Sequence, residues 1–184
     1  MSESLPRPSF TGLAVHRDFA FRYSFLLPEG WQRVPIEDEA GTGYFHAPEP
    51  VDPLTGLSAQ ARDLGVTVTA DDLAALEAGF LSGLRKLPRA RIESREAEAI
   101  GDLMTMEARL TYRAEGATRK CWVRLLYRGS TQVRLVAQGA TIERFNHWLP
   151  MFYEAIRTFR FGDWWADVVG EPWRERPFEE GSVR

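Results

Sequence analysis

Two rhythms of apolar residues alternate along the chain and divide it into elements. Phe19, Phe21, Tyr23, Phe25 and Leu27 recur at every second position between Ala20, Arg22, Ser24 and Leu26, the period of a strand with one aromatic face. Pro28-Glu29-Gly30 is a turn signal, and Trp31 opens a short second segment. Residues 40–47, entered through Gly41 and Gly43, predict a brief strand. Residues 48–61 hold three prolines and no period, so they read as a surface loop, and Leu64, Val66 and Val68 predict a further strand.

The period then lengthens. Thr69 and Asp72 have the spacing of a capping-box variant, and Leu73, Leu76, Phe80, Leu84 and Leu87 follow at steps of three and four, one apolar stripe of a helix. Arg85 and Lys86 suit its negative end, and Pro88 stops it. From Arg89 to Gly139 the alternation of a strand returns. It predicts four antiparallel strands, 89–99, 103–113, 118–128 and 132–138, joined by short turns at Gly101-Asp102, Glu115-Gly116 and Gly129-Ser130. Thr141 caps a last helix with Phe145, Leu149, Phe152, Ile156 and Phe159 as its stripe, which Pro150 is expected to kink or to split in two. Residues 1–18 read as an irregular arm, 19–161 as one domain, and 162–184 as a tail carrying Trp164, Trp165 and Trp173. The fold class is α+β: an antiparallel sheet of about six or seven strands, ending in a long C-terminal meander, packed with two main helices.

The order of these elements resembles the Mog1/PsbP-like family. Tyr23-Ser24-Phe25-Leu26-Leu27-Pro28-Glu29-Gly30-Trp31 is similar to that family's opening strand and turn, and 148–161 is similar to its closing helix with the ending Ile156-Arg157-Thr158-Phe159-Arg160-Phe161. The resemblance spans roughly residues 19–161 and implies a scaffold shared by proteins that mostly do not catalyse: a photosystem accessory subunit, a binder of a small GTPase, bacterial lipoproteins and secretion-effector chaperones. No family site residue maps onto this chain, and fold alone does not name a task.

Composition narrows the chemistry. With 44% hydrophobic residues, 27% charged and a formal net charge of −3 over 184 residues, the chain can bury a core and is neither disordered nor broadly basic. One cysteine excludes an internal disulfide and a Cys-based metal cage. His16, His46 and His147 show no ligand spacing, no metal is expected, and no cofactor motif is present. Residues 1–17 have no secretory pattern, no apolar run is long enough to span a membrane, and the lone thiol fits the cytoplasm.

The candidates for chemistry are few. Cys121 alternates with Val123, Leu125 and Tyr127, an apolar face where a thiol is inert. Glu37-Asp38-Glu39 reads as a solvated loop, Asp71-Asp72 as a helix start, and Gly139-Ala140-Thr141 as a weak anion site at a helix start. No catalytic residue is assigned. Of the 23 basic residues, 21 are arginine, which reflects either codon bias or selection for guanidinium contacts. Arg91, Glu93 and Arg95, then Glu107 and Arg109, Trp122 and Arg124, and Arg134 and Gln138 are expected to share the polar face of the meander, as a ladder of ion pairs or as a docking surface.

The reading that results is a non-enzymatic interaction module: an accessory subunit, assembly factor or chaperone-like adaptor. Its expected partner is a protein or a second copy of the chain, through Arg109, Trp122, Arg124, Arg134, Trp164, Trp165 and Trp173. Nucleic acid is not expected, because carboxylates interrupt the positive field. The alternative is a small-molecule binder or hydrolase with an aromatic cleft between the sheet and Trp31, Tyr44 or Trp148.

Overall fold

The computed structural model describes residues 12–35, 42–47 and 52–162. Ten strands and two helices follow in the order β1 (Leu13–Asp18), β2 (Tyr23–Pro28), β3 (Gln32–Pro35), β4 (Thr42–His46), β5 (Gly56–Asp63), α1 (Leu73–Arg85), β6 (Arg91–Ile100), β7 (Leu103–Ala114), β8 (Ala117–Arg128), β9 (Thr131–Gly139), α2 (Ile142–Arg157) and β10 (Arg160–Phe161), with a 3-10 turn at Ala70–Asp72 leading into α1. Seven strands form one antiparallel sheet in the order β3-β4-β5-β9-β8-β7-β6, and β1-β2-β10 form a small second sheet. The class is α+β, as expected.

The meander matches its alternation. Its three hairpins close on Gly101-Asp102, Glu115-Gly116 and Gly129-Ser130, and Glu115 and Gly116 both take positive φ, 49° and 79°, as a two-residue primed turn requires. Each helix covers one face of the large sheet. α1 and the bend that follows it set Phe80, Leu84 and Leu87 against Leu110, Cys121 and Val123, and α1 sets Leu73 and Leu76 against Met104, Met106 and Leu125. On the opposite face α2 packs Phe145, Phe152 and Ile156 with Trp122, Leu126, Val133 and Leu135, and β2 adds Tyr23, Phe25 and Leu27. Thr158 ties these parts together: its hydroxyl accepts from the Leu26 N–H at 2.9 Å and donates to the Glu154 carbonyl at 2.6 Å.

Five expectations change. Residues 13–18 are not irregular but pair along β2. The strand expected from Phe19 begins at Tyr23, because Phe19–Arg22 turn and Arg22 takes φ 52°. The expected surface loop 48–61 contains β5, which lies between β4 and β9 with Leu57, Ala59 and Ala61 buried; its apolar side is built of small residues, so the alternation is muted. Leu64, Val66 and Val68 form no strand, and Val66 is exposed. α2 runs as one helix through Pro150, so of the two outcomes expected there the split does not occur; Pro150 lacks the N–H that would meet the Asn146 carbonyl.

Candidate functional site

On the α2 face, the helix covers the middle strands and leaves the outer part of β6 and β7 open. Hairpin register decides what lies there. The turn at Glu115-Gly116 sets Arg109 opposite Trp122 and Glu107 opposite Arg124, and the β6–β7 hairpin sets Glu96 opposite Glu107 and Glu98 opposite Thr105. Glu96, Glu98, Thr105, Glu107, Trp122 and Arg124, with Tyr153 and Arg157 of α2, line a cleft of about 430 Å³.

A stack stands on its Trp122 wall. The Arg109 guanidinium lies 4.1 Å from the Trp122 ring centroid, within the range of a cation–π contact, and the Tyr153 ring is 6.1 Å from the indole, tilted by 40°. Arg157 donates to the Tyr153 hydroxyl at 2.6 Å. Arg124 donates through Nη1 to the Ile156 carbonyl at 3.3 Å, near the C-terminal end of α2, while its Nε stands 3.8 Å from the Glu107 carboxylate. Thr105 donates to Glu98 at 3.2 Å. Carboxylates thus line the outer strands, and guanidiniums line the side toward α2. Two donors stand apart: the Trp122 indole N–H and the Arg124 Nε–H are buried and have no hydrogen-bond partner among the described residues. A buried donor left unmade costs about 1–3 kcal/mol.

Of the residues expected to make contacts, Arg109, Trp122 and Arg124 come together here. Arg134 does not. Cross-strand pairing places it opposite Leu125, on the α1 face, because the two-residue turn at Gly129-Ser130 makes Leu135 the neighbour of Arg124 and a one-residue slip exchanges the faces. Gln138 goes with it, opposite Cys121. Arg95 is also on the α1 face, 3.9 Å from Glu77 of α1. A β-bulge between Ile92 and Ser94 changes the phase of β6, leaving Glu93 to pair with Lys120 at 2.8 Å. Trp164, Trp165 and Trp173, like Glu37-Asp38-Glu39, lie outside the described residues. Glu96, Glu98, Tyr153 and Arg157 were not singled out by the sequence. The i, i+4 spacing of Tyr153 and Arg157 was the available signal for the last two.

The other candidates have structural partners. Cys121 is 3% exposed, and burial, with the Glu93 charge, pushes its thiol up to about 12. The start of α2 is filled by protein: Ala140 N–H donates to Thr55 Oγ1 at 2.9 Å and Arg144 N–H to Thr141 Oγ1 at 3.2 Å. Asp72 accepts from the Thr69 N–H at 2.9 Å and so works as a cap. Trp31 packs edge-on against Trp148 and Phe152, centroids 5.7 and 6.1 Å away, whereas Tyr44 pairs with Ser58, on the α1 face of the sheet; these aromatics do not line one cleft. Among the described residues, no three of His, Cys, Asp and Glu cluster as metal ligands, and no helix is long and apolar enough to cross a membrane.

No family model and no curated protein matches the chain by sequence. Solved structures do resemble it. Cyanobacterial PsbP from Synechocystis aligns with a TM-score of 0.58 at 15% identity, over 87% of this chain and 98% of that one. LpqN of Mycobacterium tuberculosis, described as involved in cell envelope biogenesis, gives 0.57 at 15% identity over 77% and 83%. The Ran-binding protein Mog1p of Saccharomyces cerevisiae gives 0.50 at 11% identity over 83% and 96%.

Proposed function

The chain has the Mog1/PsbP-like fold, and we propose that it uses this scaffold as a non-enzymatic interaction module that docks a protein partner in the cleft between β6–β8 and the C-terminal half of α2. The observation that carries the reading is the pair of buried donors without a hydrogen-bond partner among the described residues, Trp122 Nε1–H and Arg124 Nε–H, on a cleft whose Trp122 also stacks with Arg109. Tryptophan and arginine in this setting are the residue types that dominate interface energetics. A partner carboxylate would meet Arg124 and Arg157, and a partner cation would meet Glu96 and Glu98. Such a mixed-sign surface suits a polypeptide better than a nucleic-acid backbone. The cytoplasm is the compartment we infer, from the lone buried thiol. One known protein of this fold is Ran-binding by description, which shows that the scaffold can carry a protein interface.

The test uses a photo-cross-linking residue at position 109 or 157 and, as a control, at Arg113, followed by cross-linking in the native cell. Discrete adducts at 109 and 157, reduced by Arg157→Glu in the 109 probe and absent at 113, are expected. Adduct yields equal at all three positions overturn the assignment.

A further inference from the structure

The α1 face holds a second opening, separate from the cleft. α1 covers β6–β8 and leaves the adjoining face of β9 and β5 uncovered, so that a groove of about 760 Å³ runs between the helix and the sheet, within the ordinary range of small-ligand sites. One wall is apolar: Leu76, Phe80 and Leu84 of α1, above Val123, Leu125 and Val136. The other wall carries Arg62 and Arg134. Arg134 donates to the Gln60 amide oxygen at 2.5 Å, and Arg62 to that of Gln132, whose amide in turn donates to the Tyr127 hydroxyl at 2.5 Å. Neutral amides therefore position both guanidiniums, and neither meets a carboxylate among the described residues. Among the described residues, no aspartate or glutamate lines the groove.

The helix wall is kept low in an unusual way. Gly79 and Gly83 line the groove, and a Cβ built at either would meet nothing within 4 Å. Glycine is a poor helix former, and here no close approach among the described residues requires it. Both positions leave room above the apolar floor.

We propose that this groove binds a free single-chain anionic amphiphile of the fatty-acid class, with its alkyl chain along Phe80, Leu84 and Val123 and its carboxylate at Arg62 and Arg134. A bidentate guanidinium–carboxylate contact suits Arg134, which spends one of its five donors on Gln60. The apolar wall takes the chain, and the two guanidiniums, which meet no carboxylate among the described residues, set the sign of the headgroup.

Sodium dodecanoate, below its micellar concentration, is titrated into the full-length protein and followed by calorimetry and by amide NMR shifts. One-to-one binding in the micromolar range is expected, with shifts along α1 and β9. Gly83→Leu, which fills the groove with a better helix former, weakens binding at least tenfold, and Arg134→Gln at least fivefold. Dodecyltrimethylammonium binds at least tenfold more weakly than dodecanoate, and phosphatidylglycerol vesicles sediment without the protein. Absence of dodecanoate binding, equal affinity for the cationic chain, full affinity in Gly83→Leu, or co-sedimentation with the vesicles each overturns the proposal. Circular dichroism of both variants separates loss of the site from loss of the fold.

Discussion

The aromatic packing around His16 makes stability depend on pH in a window that can be worked out. The imidazole of β1 sits with its centroid 4.8 Å from Phe25, 4.7 Å from Phe45 and 6.0 Å from Tyr23. Burial there, and then the Arg33 charge, hold its pKa down from 6.5 to about 4. The unfolded chain takes up a proton near pH 6.5 and the native chain only near 4. The stabilisation is therefore complete above pH 6.5 and is lost as pH falls from 6.5 to 4. Between pH 7 and pH 5 this one group withdraws about 2 kcal/mol, a large share of the 5–15 kcal/mol typical of a folded domain. Urea unfolding at pH 7, 6 and 5, followed by tryptophan fluorescence, is compared between the native sequence and His16→Phe. The variant is expected to lose its stability less steeply, so that the difference between the two proteins changes by about 2 kcal/mol across that range in the variant's favour. His147, whose pKa is lowered by partial burial and Arg144, acts in the same direction in both proteins and cancels. Parallel stability curves, or an NMR titration of His16 near 6.5, refute the reasoning.

Gly139→Ala places a Cβ 2.4 Å from the backbone nitrogen of Phe145 and 2.7 Å from its Cα, a clash that neither backbone can relieve cheaply. A loss of about 2–3 kcal/mol is expected in chemical denaturation. Gly79→Ala is expected to act oppositely, raising stability by up to about 1 kcal/mol in the same assay, since α1 gains a better helix former and the added methyl group touches nothing. Cys121 should react with a thiol reagent at pH 8 only after denaturation, as its burial and a pKa near 12 leave almost no thiolate in the native state; fast native labelling would show that the strand opens locally.

Local pattern alone determined much of this protein. The alternation from Arg89 to Gly139, with turn residues at each reversal, fixes the four-strand meander because a period of two and a two-residue turn admit little else. The stripes of α1 and α2 and the cap at Thr141 are equally local, since helix periodicity and capping need only residues within a few positions. Long-range packing decided the rest. β1 and β5 become strands by pairing with β2 and with β4 and β9, partners that compensate for the small side chains of Ala59 and Ala61. The site was half legible: Arg109, Trp122 and Arg124 share a face because one hairpin aligns them, while the bulge after Ile92 and the turn before Thr131 sent Arg95 and Arg134 to the opposite face. Neither the cleft nor the groove is written in any single segment. Each exists because a helix is narrower than the seven-stranded sheet it covers, and which strands it leaves bare is settled only when helix and sheet pack.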